Sequence, residues 1–256
     1  MTTDQARHEP DFRRSDDQAA ELGHPSYVWR AGQERRMALV RRWARLDGAR
    51  VLDIGCGVGI YTSRFLNYTP HAAGVELDFP VAAQARSRVP LIAVSPAERL
   101  PFASGSFDVV FSHEVIEHVL DDRLAASEMV RVCAPGGRIV LYCPNRLYPF
   151  ETHGHYWRGR YHFGNTPLIN WLPDPLRIRL APHVRAYTGA TLRQLFADQP
   201  VRLLHHCIVY PGFDNVVAAR PAAGRVLRRL LYTLEHTPLQ AFGLSHFVVL
   251  ERTAVG

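Results

Sequence analysis

The sequence predicts an α/β fold, a doubly wound and mostly parallel sheet of seven strands with helices on both faces. Three observations predict it. Strand-like and helix-like patterns alternate from residue 50 onward. The apolar run Val51–Ile54 breaks into a loop with glycines at alternate positions, Gly55, Gly57 and Gly59. The alternation is interrupted over residues 146–186, which predicts an insertion after the fifth strand.

The elements can be assigned in order along the chain. Apolar positions recur at helical spacing from Tyr27 to Leu46, which predicts a first helix. Short apolar runs predict strands at Arg50–Ile54, Ala72–Glu76, Leu91–Val94, Asp108–Ser112 and Arg138–Cys143. Helical patterns between them predict helices at Tyr61–Leu66, Pro80–Arg88 and Asp122–Cys133. After the insertion, the patterns predict a helix at Thr188–Asp198 with Thr188 as N-cap, a strand at Val201–Tyr210, a helix at Arg220–Leu234 and a strand at Ser245–Arg252.

Composition is typical of a soluble globular protein, with 256 residues, 47% hydrophobic and 21% charged. No apolar run approaches the roughly 20 residues of a membrane span. Residues 1–17 do not resemble a secretory signal, and four scattered cysteines lack metal-type spacing. We therefore expect a cytoplasmic protein with reduced cysteines. All 30 basic residues are arginine, and the net charge of +6 is compatible with acidic partners without identifying one.

The domain organisation follows from these patterns. We expect residues 1–23 to form a flexible arm, because they are polar and without period. Residues 24–256 are expected to form one domain. Within it, residues 146–186 combine aromatics, histidines and prolines without a sustained period, which favours a substrate cover over a packed layer.

The glycine loop predicts a nucleotide-type ligand at the tip of the first strand. Glycines without Cβ atoms let a ligand lie against the backbone, and the following helix directs its free N–H groups toward it. A dinucleotide fingerprint would need glycine where Ile60 stands. Asp53 adds negative charge beside the loop, which favours a cationic or amine-bearing ligand. Glu76 ends the second predicted strand, where a carboxylate can accept hydrogen bonds from ribose hydroxyls.

Four motifs together resemble one enzyme superfamily. They are Asp53–Gly59 (D-x-G-x-G-x-G), Ala97–Phe102, Ser106–Val110 and Ala134–Gly137. They resemble the motifs of class I S-adenosylmethionine-dependent methyltransferases. The resemblance implies a Rossmann-like sheet with its last strand antiparallel, and S-adenosylmethionine as cofactor. The cofactor-binding residues that it implies are Asp53, Gly55, Cys56, Gly57, Gly59, Glu76, Leu77, Ala97, Glu98 and His113.

The resemblance has one departure. The Asp that usually precedes the Ala-Glu pair and accepts from the adenine amino group is replaced by Pro96. Ser95, a backbone carbonyl or packing against the ring takes that role instead.

The segment Ser112–His118 follows the fourth strand, where this superfamily places methyl acceptors. If it turns into a helix, Glu114, Glu117 and His118 share one face. Two carboxylates and an imidazole suit a divalent cation such as Mg²⁺. The E-x-x-E-H spacing resembles metal-assisted O-methyltransferases of ubiquinone biosynthesis and of small-RNA terminal ribose.

Metal binding is one of three roles that this spacing allows. An acid/base or positioning role for His118 and a purely structural role both stay open. The catalytic candidates are His118, Glu117 and His153, with His153 as a further metal ligand or the general base. His155 is its competitor.

The preferred function is transfer of a methyl group to a hydroxyl of a small acceptor such as a sugar, glycolipid, phenol or other secondary metabolite. RNA ribose 2′-O-methylation and noncatalytic S-adenosylmethionine binding are alternatives, and N- or C-methylation stays open. No nucleic-acid partner is expected, because no RNA-binding module is visible. The sequence does not indicate an oligomeric state. The arginine-rich helix at 220–234 could rest on an anionic membrane and serve a lipid-linked acceptor, or it could be a solvated face.

Overall fold

The computed structural model describes residues 30–254, so the predicted arm at 1–23 lies outside the described residues. The first helix is α1 (Ala31–Trp43). Five strands follow, β1 (Val51–Ile54), β2 (Ala72–Glu76), β3 (Ile92–Val94), β4 (Phe107–His113) and β5 (Cys133–Pro144). The helices between them are α2 (Ile60–Phe65), α3 (Phe79–Ala85) and α4 (Asp122–Val132).

The segment 146–186 is more regular than predicted. Its strands are β6 (Phe150–Glu151), β7 (His155–Trp157), β8 (Arg160–His162) and β9 (Thr166–Pro167). Strand β6 pairs with β9 and β7 pairs with β8, both antiparallel. A 3-10 turn (Ile169–Trp171) and helix α5 (Asp174–Leu180) complete it. Strands of two or three residues are too short to show a period in the sequence.

The rest of the chain completes the sheet. Helix α6 (Gly189–Gln194) is capped by Thr188, whose Oγ1 accepts from the backbone N–H of Thr191 at 3.2 Å, as predicted. Strand β10 (Val201–Val209) follows, then helices α7 (Asp214–Ala219) and α8 (Pro221–Leu234), a 3-10 turn (Pro238–Phe242) and strand β11 (Ser245–Arg252).

The seven long strands lie in the order β10–β11–β5–β4–β1–β2–β3. Strand β11 runs antiparallel to both of its neighbours, and the other pairings are parallel. The predicted doubly wound, Rossmann-like sheet is confirmed. The strand order reverses beside β1, so the carboxyl ends of β1 and β4 border the crevice where ligands bind in this architecture.

Alternate residues of the central strands supply two cores, one on each face. Leu52 of β1 packs with Met129 of α4 on one face. Val51 packs with Met37 and Val40 of α1 on the other. The near-continuous apolar runs of β1 and β4 follow from this burial on both sides. Among the described helices, none is long and apolar enough to cross a bilayer.

Candidate active site

The glycine loop and the segment after β4 are in direct contact. Gly55, Gly57 and Gly59 have φ angles of +64°, +54° and +80°, a region that L side chains rarely adopt. A Cβ on Gly55 would lie 2.3 Å from Cγ2 of Val115. Only glycine therefore allows the glycine loop and the segment after β4 to approach this closely.

Glu76 closes the loop from the neighbouring strand. Its Oε2 accepts from the Gly57 N–H at 2.8 Å, and its Oε1 accepts from the N–H groups of Leu77 and Asp78 at 2.8 and 3.0 Å. A carboxylate offers roughly four acceptor positions, so a position on Oε2 is left for a ribose hydroxyl. The glycine loop and this carboxylate fit the nucleoside expected from the sequence.

The charge of Asp53 is smaller than the sequence predicted. Its side chain is 2% exposed and accepts from Oγ1 of Thr62 at 2.6 Å. Burial, opposed by the Thr62 hydrogen bond and reinforced by the Glu76 charge, raises the pKa of Asp53 to about 7. Asp53 is therefore only partly ionised at neutral pH and ties β1 to α2. Burial also raises the pKa of the Cys56 thiol, which keeps it protonated.

The residues expected around the adenine differ in their exposure and in their hydrogen bonds. Leu77 follows the end of β2 and is 52% exposed. Ala97 lies three residues after the end of β3 and is buried. Ser95 donates its hydroxyl to the Arg99 carbonyl at 2.5 Å, which leaves its oxygen lone pairs as acceptors. Glu98 accepts from the backbone N–H groups of Leu120 and Asp121 at 2.7 and 3.2 Å. Its carboxylate anchors the loop before α4.

The segment after β4 is a turn, so the helix over Glu114–His118 that would place these residues on one face does not form. The reason lies at Glu114, whose φ of +55° is left-handed and cannot continue a right-handed helix. Glu114 Oε1 instead accepts from Oγ of Ser245 on β11 at 2.8 Å.

The turn and the insertion together form a cluster of potential ligands. One ligand atom from each of Glu117, His118 and His153 lies within 4.8 Å of the others. Nε2 of His153 is 3.9 Å from Oε2 of Glu114 and 3.9 Å from Oε1 of Glu117. The three predicted catalytic residues are therefore brought together, with Glu114 at the edge of the group. His155 points elsewhere, since its Nδ1 is 3.1 Å from Oγ1 of Thr166 and its ring stacks on His162.

Burial dominates the electrostatics of this cluster. Neither carboxylate oxygen of Glu117 has a hydrogen-bond partner within residues 30–254. Burial, followed by repulsion from the Glu114 carboxylate, raises the pKa of Glu117 well above its ordinary value. Burial, with a further contribution from His153, lowers the pKa of His118 to about 4, so its imidazole is neutral at pH 7.

His118 has a defined orientation. Its Nδ1 lies 3.3 Å from the carbonyl oxygen of His183, and only a protonated nitrogen can bond there. The Nε2 lone pair of His118 is left to act on a ligand.

His113 ends β4 in an aromatic setting. Its ring centroid lies 5.0 Å from that of Tyr61 and 5.3 Å from that of Tyr142. Burial and then the charge of Arg36 lower the pKa of His113 to about 4. The imidazole is neutral, and a role in cofactor binding stays a prediction.

The comparisons with known proteins agree with this architecture. The family described as a methyltransferase domain matches residues 52–141. An uncharacterized methyltransferase of Mycobacterium tuberculosis is 30% identical over 174 residues, which are 62% of this chain and 87% of the relative. The chain belongs to the class I S-adenosylmethionine-dependent methyltransferases. Membership implies S-adenosylmethionine as the methyl donor.

One further curated protein and one solved structure are similar to this chain. A probable tocopherol O-methyltransferase of rice (Oryza sativa) is 39% identical over 114 residues, 40% of this chain and 31% of that protein. The S-adenosylmethionine-dependent methyltransferase of Mesorhizobium loti has the same fold, with a TM-score of 0.60 and 20% identity over 84% of this chain and 96% of the other. The chain spans less than half of the length of the first curated relatives it matches, at 46%, 49% and 43%.

Sequence reasoning missed several residues of the site. Ser245 and His183 bond to the turn from distant parts of the chain, and Glu151 bonds to His153. The charge of Arg36 also acts on His113 and Glu114. No local spacing links these residues to the E-x-x-E-H pattern. The only signal was Glu151, two positions before His153.

Proposed function

We propose that this methyltransferase transfers the methyl group to a hydroxyl of a small acceptor, with Glu117, His118 and His153 acting on that hydroxyl. The observation that carries the proposal is the cluster that His153 of the insertion forms with Glu117 and His118, which lie on the turn that contacts the glycine loop. The acceptor and the donor would therefore meet at the carboxyl ends of β1 and β4.

The methyl donor and the protein have separate tasks in this reaction. Bound S-adenosylmethionine supplies an electrophilic methyl group, so the protein has to align the acceptor and remove its proton. Glu117 offers two buried oxygens that lack hydrogen-bond donors within residues 30–254, and a hydroxyl is such a donor. The neutral imidazole of His118 and Nε2 of His153 stand beside it as proton acceptors.

The name of the rice relative favours one acceptor class among those expected. That protein is described as acting on tocopherol, a ring-hydroxylated and lipid-soluble molecule. We therefore put phenols ahead of sugars and glycolipids as the acceptor.

We further propose that the cluster holds a divalent cation such as Mg²⁺. The carboxylates of Glu117 and Glu114 offer the oxygen ligands that Mg²⁺ prefers, the imidazoles of His118 and His153 lie beside them, and further positions would stay open for acceptor oxygens. A cation would also favour the ionised form of Glu117, and it lowers the pKa of a hydroxyl bound to it.

The experiment measures transfer of tritiated methyl groups to a panel of phenols, catechols, sugars and a short RNA with a terminal vicinal diol. We expect an O-methylated phenol or catechol. Glu117→Gln should reduce turnover at least 100-fold with donor affinity within twofold, while the exposed control Glu34→Gln should not. Labelling of the RNA alone, or full activity of Glu117→Gln, would contradict the proposal.

The cation is tested in the same assay. A chelator should abolish transfer, and added Mg²⁺ should restore it. Chelator-insensitive transfer would remove the cation from the proposal and leave the cluster as base and binding site.

A further inference from the structure

The substrate cover contains a buried ion pair that the proposed function does not use. Glu151 and Arg177 are 2% and 4% exposed, and Nη2 of Arg177 donates to Oε2 of Glu151 at 2.9 Å. Arg177 also donates to the Val184 carbonyl at 2.9 Å and to Oδ1 of Asn170 at 3.2 Å. These three acceptors hold the guanidinium, and with it the Glu151 carboxylate, in one place.

The other oxygen of Glu151 binds His153. Oε1 accepts from the His153 backbone N–H at 2.9 Å and lies 3.1 Å from Nδ1 of the ring. The ion pair with Arg177 and the contacts with His153 stabilise Glu151 as a carboxylate. An ionised carboxylate only accepts hydrogen bonds, so Nδ1 carries the proton.

The proton on Nδ1 determines the state of the opposite nitrogen of the His153 ring, Nε2. With the proton on Nδ1, the lone pair of His153 is on Nε2, the atom that lies 3.9 Å from Glu114 and from Glu117. His118 is arranged in the same way by the His183 carbonyl. Both histidines of the cluster thus carry their lone pair on Nε2.

We propose that Glu151, held by Arg177, is a positioning residue that fixes the tautomer and orientation of His153 for methyl transfer. A carboxylate on the far nitrogen of an imidazole fixes its tautomer and raises its basicity, whether the near nitrogen binds a metal or a proton. This inference rests on the proposed function of the cluster. It adds that the cover does more than enclose the acceptor, because it supplies both His153 and the group that orients it.

The test uses Glu151→Gln in the full chain. An amide has one acceptor oxygen and one donor nitrogen, and Arg177 requires the acceptor. The amide nitrogen would then face Nδ1 and lose the hydrogen bond from the His153 backbone N–H, so that the proton of His153 moves to Nε2 and the lone pair leaves the cluster. The readout is the ¹⁵N spectrum of histidine-labelled protein without acceptor, in which protonated and unprotonated ring nitrogens differ, with His153 assigned by His153→Gln.

We expect the Nδ1–H tautomer in the wild type and the Nε2–H tautomer in Glu151→Gln. Turnover should fall at least tenfold in that variant, with donor affinity within twofold. Arg177→Met is the structural control: it breaks the ion pair and lowers the melting temperature but leaves the carboxylate on His153, so it should keep the wild-type tautomer. If Glu151→Gln or Arg177→Met does not fold, the wild-type spectrum, with His153 assigned by His153→Gln, decides the matter.

An Nε2–H tautomer in the wild type, or an unchanged tautomer and turnover in Glu151→Gln, would overturn the inference. Full turnover of His153→Gln would instead overturn the proposed function of the cluster, and the tautomer measurement would still stand. The two failures are therefore distinguishable.

Discussion

At the scale of single residues, buried carboxyl groups distinguish this site from an ordinary strand edge. Asp53 and Glu117 both have raised pKa values, and burial is the largest cause for each. They differ in their partners, since Asp53 accepts from Thr62 whereas Glu117 has no hydrogen-bond partner within the described range 30–254. Asp53 is therefore satisfied by the fold, and Glu117 is the group that a ligand would complete.

Asp53 makes stability depend on pH. Its pKa rises from 3.8 to about 7 on folding, so its contribution to stability is complete below pH 3.8 and is lost as the pH rises through 7. The loss between pH 5 and pH 8 amounts to about 3 kcal/mol.

Asp53→Asn should remove this dependence in the protein without ligand. We expect the melting temperature of the variant to exceed that of the wild type at pH 8 by several degrees more than it does at pH 5. Calorimetry at both pH values measures this, with the exposed Asp198→Asn as control. Parallel pH profiles of wild type and Asp53→Asn would show that Asp53 is ionised in the fold.

At the scale of elements, the turn between β6 and β7 places His153. Gly154 follows His153 with a φ of +84°, and a Cβ there would lie 2.7 Å from the His162 carbonyl oxygen. Gly159, in the turn between β7 and β8, has a φ of +75° but nothing within 4 Å of its Cβ position. Both glycines have a positive φ angle that L side chains rarely adopt. Only at Gly154 would a Cβ also clash with a neighbouring atom.

Gly154→Ala should therefore impair the cover more than Gly159→Ala does. We expect Gly154→Ala to lower turnover at least tenfold, because β7 and His153 must shift, while S-adenosylmethionine affinity by calorimetry stays within twofold. Gly159→Ala should keep turnover within threefold. Equal losses in both variants would mean that backbone strain, rather than the position of His153, controls turnover.

Exposed apolar side chains on helix α8 are compatible with the hypothesis of a membrane contact. Val226 and Leu230 are 67% and 59% exposed, and each follows an exposed arginine, Arg225 and Arg229. Apolar side chains flanked by arginines suit an anionic lipid surface.

Vesicle sedimentation tests the contact. We expect the wild type to bind vesicles that contain anionic lipid, and Leu230→Asp to bind at least fivefold more weakly. The control Leu91→Asp changes a leucine that is 55% exposed outside α8. No binding by the wild type, or equal loss in both variants, would leave α8 as a solvated face.

The sequence predicted the elements better than it predicted the site. Strands β2 and β11 match their predicted bounds to the residue, because a strand buried on both faces must be an apolar run. The E-x-x-E-H residues do approach His153, but through a turn that begins with a left-handed glutamate rather than through a helix. Glu151 and Arg177 are 26 residues apart, so no periodicity could pair them.

At the scale of the whole molecule, the parallel sheet brings the two halves of the site together. The carboxyl ends of β1 and β2 present the glycine loop and Glu76, and the end of β4 presents the turn with Glu117. The cover then adds His153 from above the same edge. The glycine loop and the turn with Glu117 are adjacent because these strands end at one edge of the sheet.

A crystal structure with S-adenosylhomocysteine tests this account most directly. It should show the ribose on Glu76, the adenine against Leu77 and the sulfur directed toward Glu117 and His153. A ligand bound away from the glycine loop, or a sulfur that faces away from these two residues, would contradict it.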